Sequence, residues 1–173
     1  MEKNQKQLEK KPVTERIKNM NDVLEELGPN HPLVAQYRHY LDTTDPEQHD
    51  EYLATFMQLR MVCAAINEGW LPTFEPGEHR YWPWFWLYKD RKTAERYKVS
   101  GEEIIEISAA VRACLLGGGA SNGALAGLVY SYSDDAPGSA DAYVGSRLCF
   151  KSRELAIYAA KTFFELWIKF YCM

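Results

Sequence analysis

Apolar residues recur at helical spacing through the first third of the chain. From Thr14 onward, Ile17, Met20, Leu24 and Leu27 share one face, which predicts a helix ending at Gly28-Pro29. Glycine suits a helix C-cap and proline cannot continue the helix. A shorter helix is expected from Pro32 to Leu41, with Leu33, Val34, Tyr37 and Leu41 as its apolar positions. Asp45-Pro46-Glu47-Gln48 then reads as a helix start, with a capping aspartate and a proline in the first turn. The helix it opens should run to Glu68 and stop at Gly69. Its stripe of Tyr52, Phe56, Leu59, Cys63 and Ile66, widened by Leu53, Met57 and Val62, is that of a central, well-buried helix.

The period then changes. Tyr81-Trp82-Pro83-Trp84-Phe85-Trp86-Leu87-Tyr88 reads as a strand rich in aromatics, and Pro83, which has no N–H to donate, marks an edge or a bulge. Further strands are expected over Ala109 to Leu116, Leu125 to Ser133 and Tyr143 to Lys151, whereas residues 100–108 suit helix and strand alike. Ser152 is a natural N-cap for a last helix to about Tyr171, with Leu155, Ala159, Phe163, Leu166 and Phe170 on one face. The order of helices, an antiparallel meander of about four strands and a closing C-terminal helix packed on the sheet predicts an α+β fold. The division is a polar, lysine-rich arm over residues 1–13 and a single domain over 14–173. Phe56, Ile66, Phe85, Leu148, Leu155, Phe163 and Leu166 are the expected core.

Composition narrows the function without naming it. The chain has 173 residues, 46% of them hydrophobic, 25% charged and 13% aromatic, with a net charge of −4. This is ordinary globular usage apart from the aromatic excess, and it offers no overall attraction to phosphate. Cys63, Cys114, Cys149 and Cys172 lie in apolar stretches with no metal-binding spacing and no C-x-x-C pair, so reduced cysteines are expected. No secretory segment is recognised at the N-terminus, and no run approaches the ~18 apolar residues of a membrane span. The expected location is the cytoplasm of a host cell or, if packaged, a virion.

No motif supports catalysis or a cofactor. Gly117-Gly118-Gly119-Ala120-Ser121-Asn122 lacks the third glycine of a dinucleotide fingerprint, and a predicted strand rather than a helix follows it. His31, His39, His49 and His79 form no ligand pair, none follows the glycine loop, and Asp134, Asp135 and Asp141 match no calcium loop. No metal, cofactor or catalytic residue is therefore assigned. Interest falls instead on the aromatic strand. Alternation places Tyr81, Pro83, Phe85 and Leu87 on one face and Trp82, Trp84, Trp86 and Tyr88 on the other. The candidate binding residues are Trp82, Trp84 and Trp86 with the basic flanks Arg80, Lys89 and Arg91; Lys92 adds to the same charge.

Two segments carry a resemblance. Asn67-Glu68-Gly69-Trp70, and Gly145-Ser146-Arg147-Leu148-Cys149-Phe150-Lys151-Ser152 leading into Glu154-Leu155-Ala156, resemble a group of small proteins of Bacteroides-type bacteria and their phages. The resemblance spans about residues 52 to 171, and the group has no activity to carry over. It implies a phage or mobile-element origin, as a virion component or an accessory protein. The expected function is thus a non-enzymatic interaction protein that binds a protein partner or its own copies. The alternatives are a binder of single-stranded nucleic acid or nucleotides, disfavoured by the acidic balance, and a small enzyme.

Overall fold

The computed structural model describes residues 10–73, 78–88, 92, 95–96, 104–106, 128–136 and 148–172. Six α-helices of four or more residues have defined bounds: α1 (Val13–Arg16), α2 (Met20–Leu27), α3 (Pro32–Thr43), α4 (Glu51–Ile66), α5 (Arg153–Thr162) and α6 (Phe164–Cys172). Three strands accompany them: β1 (Arg80–Tyr88), β2 (Ile104–Glu106) and β3 (Leu128–Ala136).

α4 is the axis of the body. It is apolar on nearly every side, burying Leu59, Met61, Val62, Cys63, Ala65 and Ile66, and so it needs cover all round. α2, α3, α5 and α6 supply that cover. Val13 and Ile17 from the N-terminal segment, Val23 from α2, Val34 from α3, and Ala156, Ala159, Phe163 and Trp167 from the last two helices close the core. Ile66, Leu148 and Phe163 are buried as expected, while Phe56, Phe85, Leu155 and Leu166 are partly buried against that core.

This arrangement corrects the expected α+β fold. The described residues are mainly helical, and the buried core among them is drawn almost entirely from helices. No four-strand meander forms among the described residues. A meander pairs strands in chain order, but the observed order is β1-β3-β2, with β3 in the middle. Ile104–Glu106 of the ambiguous stretch is β2, and the third expected strand falls on β3. The strand expected over 109–116 lies outside the described residues, as do 143–147 of the last one. Of that last strand, Phe150 forms a single antiparallel bridge, to Tyr81.

Three expected helices are also broken, the first two by specific side-chain bonds. The first splits because Asn19 forms a capping box: its side chain accepts from the Asn21 amide at 2.8 Å and the Asp22 amide at 3.2 Å, and Asp22 accepts from the Asn19 amide. Asp45 caps only a 3-10 turn, Pro46–Gln48, and α4 begins afresh under Asp50. The Tyr40 hydroxyl accepts from the Asp50 amide at 2.7 Å and donates to its carbonyl at 3.2 Å, holding the junction open. The last helix bends at Phe163 (φ −113°, ψ 32°). Consecutive residues of a straight helix point about 100° apart; the bend lets Phe163 and Phe164 both turn inward.

Candidate functional site

β1 is built as two different faces. Its register with β3 is continuous and antiparallel, from Arg80 opposite Ala136 to Tyr88 opposite Leu128, without a bulge. On the far side, Tyr81 exchanges both backbone bonds with Phe150, at 3.1 and 2.8 Å. In an antiparallel ladder the residue that bonds outward on one side does not bond on the other. Tyr81, Pro83, Phe85 and Leu87 therefore direct their backbone groups away from β3. Pro83 is tolerated for this reason: the N–H it lacks is not one that β3 needs. Its carbonyl faces the helices and accepts from the Tyr171 hydroxyl at 2.7 Å.

Within this set, the side chains of Tyr81, Pro83 and Phe85 serve the body. Tyr81 joins the core, and Phe85 meets Phe164 and Tyr171 edge-on, with ring centroids 5.9 and 5.8 Å away. Trp82, of opposite parity, is half-buried. The register sets Trp82, Trp84 and Trp86 opposite Asp134, Tyr132 and Tyr130. The side chains of Trp84 and Trp86, together with Lys89 and Arg91, lie outside the described residues. Arg80 is placed differently from expectation. It is only 2% exposed, and its charge acts on Cys149 rather than standing in solvent.

A second constellation joins segments far apart in sequence. Asn67 ends α4 and is 4% exposed; its side chain donates to the Cys149 carbonyl at 2.8 Å and accepts from the Lys151 amide at 3.1 Å. Glu68 follows with φ 52° and Gly69 with φ 83°. A left-handed backbone costs a residue with a Cβ roughly 1–2 kcal/mol, so glycine is suited to position 69 and glutamate is not suited to 68. The glutamate earns its place through charge: its carboxylate meets Arg16 at 2.7 Å and Lys151 at 3.4 Å, with Lys10 at 3.9 Å. Arg16 also pairs with Glu26, which Lys10 meets at 2.8 Å. Ser152, next along, caps α5 by accepting from the Leu155 amide at 3.3 Å.

The titratable groups are set for structure. Burial and the neighbouring Cys149 push the Cys63 thiol well up, and burial raises Cys149 from its ordinary 9.0 to about 11 despite Arg80. Both are opposite to the shift that activates a nucleophilic thiolate. Burial also raises the Tyr171 phenol. His31 caps α3, and His49 Nε2 lies 3.0 Å from the Thr44 carbonyl. Among the described residues, no group of three His, Cys, Asp or Glu side chains could hold a metal ion, and no helix is long and apolar enough to cross a membrane.

Sequence reasoning missed Asn67, Glu68 and Lys151 as a unit. The two resemblance segments contained all three, but nothing local indicated that they meet. No family model, curated protein or solved structure matches this chain.

Proposed function

We propose that the chain is a non-enzymatic interaction protein that binds a protein partner through the tryptophan positions of β1. The observation that carries this reading is the division of the strand. Tyr81, Pro83 and Phe85 are taken up by the helical body, whereas positions 82, 84 and 86 have the opposite parity and stand in register with Asp134, Tyr132 and Tyr130. Aromatic side chains gathered on one strand face suit a binding surface, because large rigid rings bury much area at little entropic cost. The raised cysteine thiols favour binding over covalent chemistry. The nucleic-acid reading is weakened, since Arg80, one of its intended phosphate contacts, is buried. A phage or mobile-element origin belongs to the same proposal, and mass spectrometry of purified virions beside infected-cell lysate tests it.

The test of the surface compares Trp82→Ala, Trp84→Ala and Trp86→Ala, measuring thermal stability and partner capture together. Capture lost at an unchanged melting temperature is expected. If all three variants unfold, this face is core and the reading is wrong. Binding to a single-stranded oligonucleotide that falls steeply with salt would replace it by the nucleic-acid reading.

A further inference from the structure

We propose that Glu68 couples the docking of an N-terminal strap, Lys10 to Ile17, to the junction at Cys149–Lys151 that fastens β1. The inference does not depend on β1 binding anything. The strap lies on the body through Val13 and Ile17, both buried, and the Ile17 carbonyl accepts from the Tyr158 hydroxyl. Its least exposed charge is Arg16, whose side chain is 16% exposed and which divides its guanidinium between Glu26 and Glu68; Lys10, 63% exposed, meets the same two carboxylates from the solvent side. From Glu68 the connection is continuous. Oε2 meets Lys151 Nζ, which also donates to the Asn67 carbonyl at 3.3 Å. Asn67 holds the Cys149 carbonyl and the Lys151 amide, and Phe150 between them bonds twice to Tyr81 of β1.

The geometry also gives the sign of the coupling. Arg16 takes Oε1 and Lys151 takes Oε2, so the two cations do not compete for one oxygen. When Arg16 fixes the carboxylate, the ordering cost of that side chain is already met, and Lys151 binds it with less entropy to lose. Releasing the strap should therefore loosen the junction. The left-handed backbone at Glu68 fits this role, because strained conformations persist where the surroundings fix them and often mark switching elements. Glycine at 68 would relieve the backbone and remove the connection.

Amide hydrogen exchange on the full chain tests the coupling at two reporters: the Ile17 amide, bonded to the Val13 carbonyl at 3.0 Å, and the Lys151 amide, bonded to Asn67. Arg16→Met should speed exchange at both, by about fivefold for a partly buried ionic contact. In a Glu68→Gln background, Arg16→Met should still speed Ile17 but leave Lys151 unchanged. Glu68→Gly should speed Lys151 while the helices stay intact. Arg16→Lys, which keeps a cation at that position, should speed both amides less than Arg16→Met does, and it serves if the uncharged variant fails to fold. The proposal is overturned if Lys151 does not respond to Arg16→Met, or if its response is undiminished without the Glu68 carboxylate.

Discussion

The helical body and the strand layer are held by different means. Around α4, fully buried Ile17, Val23, Val34, Leu148 and Trp167 come from separate segments and interlock, so each helix depends on several others. β1 and β3 both lie against α5, and β1 is also tied to the body by contacts that can be named one by one: the Tyr81–Phe150 bridge, the Tyr171 hydroxyl on Pro83 and the Phe85 ring on α6. Contacts of that kind can be probed by single substitutions, whereas a core closed by mutual burial responds as a whole. Glu68 and Asn67 lie where the two regions join.

The largest effect should come from the body. Trp167 is fully buried between Phe150 and Tyr171, with ring centroids 6.2 and 6.0 Å away. Trp167→Ala should cost about 3–5 kcal/mol in denaturant unfolding, through the lost transfer energy and the cavity left behind. The indole N–H is buried without an acceptor among the described residues, so Trp167→Phe should recover most of the loss. If Trp82→Ala destabilises as much as Trp167→Ala, the contrast between body and strand layer does not hold.

A smaller and pH-dependent effect is expected where the two regions meet, because Cys63 belongs to α4 and Cys149 to the β1 junction. Both thiols are raised in the folded state, so folding holds their protons more tightly than the unfolded chain does. Below the ordinary value of 9.0 the thiols are neutral in both states, and stability is complete. Between 9.0 and about 11 the unfolded chain ionises Cys149 first, so stability should fall as pH rises through that window. Equilibrium unfolding from pH 8 upward should show this decline, and Cys149→Ala should make it shallower, leaving the part that Cys63 contributes. An unchanged slope in that variant would mean the junction is open enough to solvate a thiolate.

How far the sequence revealed each region follows from the range of the forces involved. The stops at Gly28 and Gly69 were legible because a positive φ favours glycine at one position, a purely local requirement. The breaks at Ile17 to Asn19 and at His49 were not, since they depend partly on Tyr158 and Tyr40 reaching backbone atoms elsewhere. Asn19-x-x-Asp22 did carry a readable capping signal that the apolar stripe obscured. The order of the strand layer was misread because apolar runs suit strands without fixing which strand pairs with which, and β3 rather than β2 lies beside β1. Arg80 was misplaced because a basic residue at a strand's start reads the same in solvent or in the core. The partners of Asn67, 82 and 84 residues away, leave no local trace at all.

The smallest expected effect is the most direct probe of how β1 is set. A proline inside a strand ordinarily removes a ladder bond, and restoring the N–H should then stabilise the sheet. Here the bridge at Tyr81 fixes the parity, so the N–H of an alanine at 83 would face away from β3 and gain no partner there. What Pro83→Ala does change is the unfolded chain, which becomes freer, at a cost to stability of about 0.4–1 kcal/mol. The Pro83 carbonyl should keep its bond from Tyr171, because a peptide oxygen remains at that position. Thermal unfolding should therefore show a slight loss, and the Trp82 and Trp84 amides, which bond toward β3, should keep their exchange rates. A gain in stability would show that position 83 faces β3, and the two-faced assignment of β1 would have to be reversed.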